Sequence, residues 1–258
     1  MRGMIRHIPS VHEKTALLII NCFFFGLLCT LRKKIGSVIF AQGLCLAILL
    51  LIPISGSAEW GTVQIPRIQY GGGGDWYTDP TSIPNLLKAA SEKLNIPTRP
   101  ENIAIKISDA DLFNYPMIYL TGHGNVKFED YEVNRLLTYL DNGGFLWVDD
   151  CYGIDKSIRR EMRKLYPDKE LTLLPLDHPI YHMVYELPKG IPKIHEHDGK
   201  PPESYGIFNK GRMVVLYTHE TDIGCGLEDV GVHKEDSPEI REQAMKMALN
   251  ILVFVMAQ

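Results

Sequence analysis

Residues 116–153 read PMIYLTGHGNVKFEDYEVNRLLTYLDNGGFLWVDDCYG, and the fold is decided there. Pro116 to Thr121 is a compact apolar run that breaks into Gly122-His123-Gly124, the pattern of a buried strand leaving into a tight loop. Val133, Leu136, Leu137 and Leu140 then recur at helical spacing, and Gly143-Gly144 stops the helix. Phe145 to Val148 is a second buried strand, ending in Asp149-Asp150-Cys151-Tyr152-Gly153. Two strands joined through a helix by short loops lie parallel, so this stretch is a βαβ unit.

The same alternation extends outward. Upstream, Thr62 to Tyr70 reads as a strand whose Pro66 points to an edge or a bend. Gly71 to Gly74 and Asp75-Trp76-Tyr77 follow, then a helix capped by Ser82 with Ile83, Leu87, Ala90 and Leu94 inward, then a short strand from Asn102 to Ile107. Downstream, Asp155 caps a helix bearing Ile158, Met162 and Leu165, and Leu171 to Leu174 is a short strand. Tyr205 to Phe208 and Met213 to Tyr217 flank the turn Asn209-Lys210-Gly211, and Ser237-Pro238 opens a last helix. The expected class is α/β, a doubly wound, mostly parallel sheet. Between Pro175 and Ser204 the periodicity vanishes. That length of irregular chain is usually functional or disordered, and Ile180, Tyr181, Tyr185, Ile191 and Ile194 argue against disorder.

Residues 1–58 are a separate matter. Two apolar runs, Ala16 to Leu31 and Ile35 to Ile54, flank Arg32-Lys33-Lys34, and the segment ends in Gly56-Ser57-Ala58. A basic cluster, an apolar stretch and small residues are the parts of a secretory signal; uncleaved, the second run is long enough to anchor the chain in a membrane. Either way the expectation is export, with residues 59–258 forming one domain outside the cytoplasm. The leader carries six of the 27 Lys/Arg and one of the 31 Asp/Glu, so residues 59–258 are near −9. A domain this acidic lacks the basic patch that phosphate neutralisation needs, which excludes nucleic acid as its default partner.

In an open α/β sheet, ligands bind beyond the carboxyl ends of the strands. Three loops there carry unusual residues. The first offers Gly72 and Gly73, whose backbone can approach a ligand closely, beside Asp75 and Trp76. The second holds His123 between two glycines that cannot cover it. The third presents Asp149, Asp150 and Cys151 before a helix, where a thiol can act as a nucleophile, pair with Cys225 in a disulfide, or remain inert. In the irregular segment, His195, His197 and Asp198 form a candidate set for a divalent metal; His178 and His182 are a second histidine pair. Asp222, Glu228 and Asp229 are further carboxylates after the last strand.

Taken together, Tyr70-Gly-Gly-Gly-Gly-Asp-Trp-Tyr77, Tyr119-Leu-Thr-Gly-His-Gly124, Gly143-Gly-Phe-Leu, Asp149-Asp-Cys-Tyr-Gly153, His178-Pro-Ile-Tyr-His182 and Ile194-His-Glu-His-Asp-Gly199 resemble the DUF4159 family over residues 62–257. The resemblance implies a flavodoxin-like fold akin to the class I glutamine amidotransferases, in exported or membrane-tethered proteins, and brings no activity with it. Cys151-Tyr152-Gly153 looks like the Cys-x-Gly nucleophile elbow of those enzymes. Their His-Pro-Glu has only His219-Glu220 as a counterpart, without the proline. Two acids directly before a cysteine disfavour its thiolate. The functional expectation is a site for a small polar or carbohydrate-like ligand lined by the three loops. The alternatives are a hydrolase using Cys151 with a histidine such as His123 or a bound metal, and a structural module that meets a protein partner at the membrane.

Overall fold

The computed structural model describes residues 61–258. The expected signal or anchor at residues 1–58 lies outside the described residues. Among the described residues no helix is long and apolar enough to cross a membrane.

Among the described residues seven strands form one sheet. In chain order they are β1 (Arg67–Ile68), β2 (Ala104–Ile105), β3 (Met117–Leu120), β4 (Phe145–Asp149), β5 (Thr172–Leu173), β6 (Glu203–Asn209) and β7 (Arg212–His219). The helices are α1 (Ser82–Leu94), α2 (Asp130–Asp141), α3 (Asp155–Leu165), the short α4 (Ile223–Leu227) and α5 (Pro238–Ala257). Across the sheet the order is β2-β1-β3-β4-β7-β6-β5. The first five neighbours run parallel, and the β6–β7 hairpin with β5 adds an antiparallel edge. The sheet is thus mixed α/β and mostly parallel, as the alternation of apolar runs predicts.

Side chains alternate across a strand, and both faces of β3 and β4 are covered, so every residue in them is buried. Met117, Tyr119, Phe145 and Trp147 face α1 and α5, while Ile118, Leu120, Leu146 and Val148 face α2 and α3. Each such apolar side chain contributes about 1.5–3 kcal/mol by leaving water. That reward for correct facing fixes the register: Met117 pairs with Phe145 and Leu120 with Val148, and Val148 in turn with Tyr217. The carboxyl ends of β3, β4 and β7 therefore finish level.

Two local expectations need correction. β1 is an interior strand between β2 and β3, not an edge. Pro66 precedes the two paired residues and truncates the strand, while its carbonyl accepts from the Tyr119 N–H. Ser82 and Asp155 do not cap their helices; each is the first helical residue, after Thr81 and Ile154. At α5 the expectation holds: Ser237 Oγ accepts from the Ile240 N–H and Pro238 opens the helix.

The irregular segment is ordered by side chains rather than by a ladder. Ile180, Tyr181, Leu187, Ile191 and Ile194 are buried in the α1/α5 layer. Asn250 of α5 accepts from the N–H groups of Val184 and Tyr185 and donates to the Tyr185 carbonyl. His178 and His182 serve this local structure: His178 Nδ1 accepts from the Ile180 N–H, and His182 pairs with Glu186. Farther along the segment the Ile194 N–H donates to the Thr221 carbonyl beyond β7, which brings His195 and His197 to the carboxyl edge.

Candidate functional site

The glycine run sets the first distance at this edge. Beyond β1 and β3 the two loops zip together: Lys127 donates to the Gly71 carbonyl, Gly74 to Asn125, and Asp75 to His123. Side chains have no room in that seam. A Cβ on Gly72, which has φ +104°, would lie 2.7 Å from the Asn125 carbonyl oxygen, and one on Gly74 would lie 2.6 Å from that of His123. These glycines thus serve close backbone packing, and the packing places Asp75 beside His123.

Asp75 Oδ1 accepts from the His123 backbone N–H, and Oδ2 lies 2.9 Å from His123 Nδ1. Burial opposes the charge of Asp75, but its bonds to His123 outweigh this and hold the carboxyl below its ordinary range. With Nδ1 donating to that carboxylate, Nε2 is free to accept, and it lies 3.3 Å from Cys151 Sγ. Asp75, His123 and Cys151 therefore form a continuous acid–imidazole–thiol chain. The His123 side chain is 46% exposed, whereas Cys151 is 4% exposed.

On its other side, Cys151 Sγ lies 3.3 Å from Cys225 Sγ, and both thiols are free. Cys225 Sγ in turn is 3.5 Å from Asp79 Oδ1. The bond to Cys225 favours a Cys151 thiolate, but burial and the charges of Asp79, Asp222 and Asp149 outweigh it and push the thiol up to about 11. Cys225 is raised further, by its bond to Cys151, burial and Asp79. Burial also raises Asp79, although Arg67, itself buried, donates to the carbonyls of Thr78 and Asp79.

Asp149, the last residue of β4, and Asp150, which follows it, point into the protein. Asp149 accepts from Thr218, Thr221, the Gly224 N–H and Tyr119; burial pushes it up to about 7 against those bonds. Asp150 accepts from the Ile154 N–H and from Tyr217. Trp76 is partly buried against the α2/α3 layer, with Tyr77 edge-on to it. Gly73, at φ +89°, has open space around its α-carbon. His219 lies 3.9 Å from Asp150, 3.7 Å from Asp155 and 3.5 Å from Glu203. It is thus tied to carboxylates, and the imidazole at Cys151 is that of His123. Cys151 also lacks the positive φ of a strained elbow; positive φ falls on the next two residues, Tyr152 at 157° and Gly153 at 81°.

His195 and His197 converge on Asp222, not on Asp198. His195 Nδ1 is 3.2 Å from Asp222 Oδ2, His197 Nε2 contacts the same oxygen, and His195 Nε2 is 2.9 Å from Asp236 Oδ1. Asp198 turns outward to Tyr152 and Lys200. Asp222 sits in the left-handed region, φ 55°, which turns the chain sharply after β7 and starts α4. Asp79 and Asp236 carry no motif in the sequence, and only the folded chain brings them to this edge.

Among curated proteins none matches this chain. The family model described as a domain of unknown function, DUF4159, matches residues 64–256, a span that contains every residue of this site, and the chain is a member of that family.

Proposed function

We propose that the chain is a thiol-dependent hydrolase or acyl transferase, with Cys151 as nucleophile, His123 as base and Asp75 as the group that orients His123. The carrying observation is the unbroken chain from Asp75 Oδ2 through His123 to Cys151 Sγ, with contacts of 2.9 and 3.3 Å. A positioned base removes the need for a pre-formed thiolate, so the raised Cys151 does not oppose the chemistry. In the step, Sγ bonds to the carbonyl carbon of an ester or amide as its proton passes to His123 Nε2. The bond to the leaving group then breaks, and the leaving group takes that proton. Water attacks the resulting thioester through His123, releasing the acid and restoring the thiol. The strand order β2-β1-β3-β4-β7 supports a flavodoxin-like, amidotransferase-like sheet, with the site beside its switch point between β1 and β3. The basic, apolar and small-residue pattern of residues 1–58 supports export or membrane tethering.

One observation favours a second reading, a module that holds a small polar or carbohydrate-like ligand. Cys151 is covered, while Tyr77, 64% exposed, and His123 face outward beside the glycine loop. Rate-resolved labelling of the reduced full-length chain with iodoacetamide, read by intact mass and peptide mapping, separates the two. The hydrolase requires fast labelling at Cys151 that collapses in His123→Ala. Slow labelling of both cysteines, indifferent to His123, would leave the binding module.

A further inference from the structure

We infer that the carboxyl edge carries a second site, a transition-metal centre for which zinc is the best fit, held by Cys225, His195 and Asp222. It stands on its own geometry, independent of the nucleophile reading. One donor atom from each of these residues lies within 4.8 Å of the other two. Donors bound to one zinc ion at about 2.0–2.3 Å are separated by about 3.3–3.8 Å in a tetrahedron, so donors within 4.8 Å of one another need only a small inward shift to share one ion. Sulfur, imidazole and carboxylate together select a zinc-like ion over magnesium or calcium, which prefer oxygen alone.

Two further observations point to a bound cation. Asp222 has no solvent exposure, yet its Oδ1 has no hydrogen-bond partner among the described residues. A buried carboxylate oxygen without a donor is costly, and a cation at this position supplies the missing partner. The surroundings also have the form of an outer coordination shell. A ligating histidine normally gives its other ring nitrogen to a carboxylate, and a ligating carboxylate is itself hydrogen-bonded. Here Asp236 Oδ1 takes His195 Nε2 at 2.9 Å, Nδ1 is turned to Asp222 at 3.2 Å, and His197 holds Asp222 Oδ2. His197 is in turn stacked on Tyr152, with ring centroids 4.5 Å apart. Three protein donors leave a fourth position open, the pattern of metal sites that bind a water or a substrate. Cys151 Sγ lies 3.3 Å from Cys225 Sγ, beside the sulfur donor.

The test is titration of the reduced, metal-free full-length chain with zinc chloride against a chromophoric chelator, repeated with cobalt(II) to read thiolate-to-metal charge-transfer absorption. The expected result is one equivalent per chain with the sulfur signature. Cys225→Ser should remove that signature, and His195→Ala should weaken binding at least about 10-fold. The milder Asp236→Asn, which leaves all three donors in place, should weaken it by about 10–100-fold. Cys151→Ser and His123→Ala should retain one equivalent, so failure of the nucleophile reading cannot be confused with failure of this one. Substoichiometric binding, absence of the cobalt–thiolate band, or affinity indifferent to Cys225, His195 and Asp236 would overturn the assignment.

Discussion

Glu161, in the second half of α3, and Asp222, at the carboxyl edge, both have side chains with no solvent exposure. Around Glu161 the protein places donors at both oxygens: Arg160 on Oε1, and Lys164 with the Phe128 N–H on Oε2. Around Asp222 it places two imidazoles on one oxygen and nothing on the other, among Cys225, Cys151 and further acids. The first carboxylate ties α3 to the chain entering α2 and is spent on stability. The second is left incompletely satisfied, which a fold tolerates where a ligand is to be held. The difference separates the structural half of the molecule from the half in which the proposed chemistry lies.

The comparison is most sharply broken by substitution beside Cys151. His123→Ala should lower the labelling rate of Cys151 by about 10²–10⁴-fold, the usual contribution of a positioned base, with little change in Tm because His123 is half exposed. Unchanged labelling would mean that the edge is no more reactive than the rest of the molecule. Next in size, Glu161→Gln should cost about 2 kcal/mol, the scale of lost charge-assisted hydrogen bonds. For a domain of this size that lowers Tm by roughly 4–8 °C in thermal melts. A shift below the scatter of replicate melts would remove Glu161 from the structural side.

The pH dependence follows the same division. Burial opposes the charge on Glu161, but the bonds from Lys164, the Phe128 N–H and Arg160 together prevail and hold its pKa below the ordinary value. With the folded pKa depressed, its stabilising contribution is complete above the unfolded value of about 4.3 and is lost as pH falls through the folded one. Between about pH 5 and pH 3, Glu161→Gln should therefore lose less stability than the parent chain, as read by urea midpoints; parallel midpoints would contradict it. The smallest effect is expected at Asp222. In metal-free protein Asp222→Asn should cost about 1 kcal/mol, less than Glu161→Gln: it weakens the shared hold on His195 and His197, but the amide oxygen still accepts from one ring, repulsion with Asp149 is relieved, and Asn also adopts positive φ. A loss as large as that at Glu161 would make the two carboxylates equivalent.

Much of this was legible before folding. The apolar runs at 116–121 and 145–148 mark β3 and β4, and Val133, Leu136 and Leu140 mark α2, because periodicity is a local record of which face is buried. The glycine-flanked His123 and the strand-end Cys151 stood out as candidates from their loops alone, and the fold brings them within 3.3 Å of each other. The directions of Asp149 and Asp150 were not, since a strand-end carboxylate can turn outward to a ligand or inward to Thr218 and Tyr217. Nor was Asp222 distinguishable from Asp198 as the partner of the histidines.

The chain's own order of residues thus determined the α/β class, the parallel core of the sheet and the three loops at its carboxyl edge. Tertiary structure alone decided which side chains meet there. Asp75 and His123 are 48 positions apart, His123 and Cys151 28, Cys151 and Cys225 74, and His195 and Asp236 41. Contacts at such separations depend on strand order and register, and a one-residue slip would turn each strand-borne side chain to the opposite face. Helical and strand periodicity reports burial within a few residues; it holds no record of which loops the finished sheet will bring together.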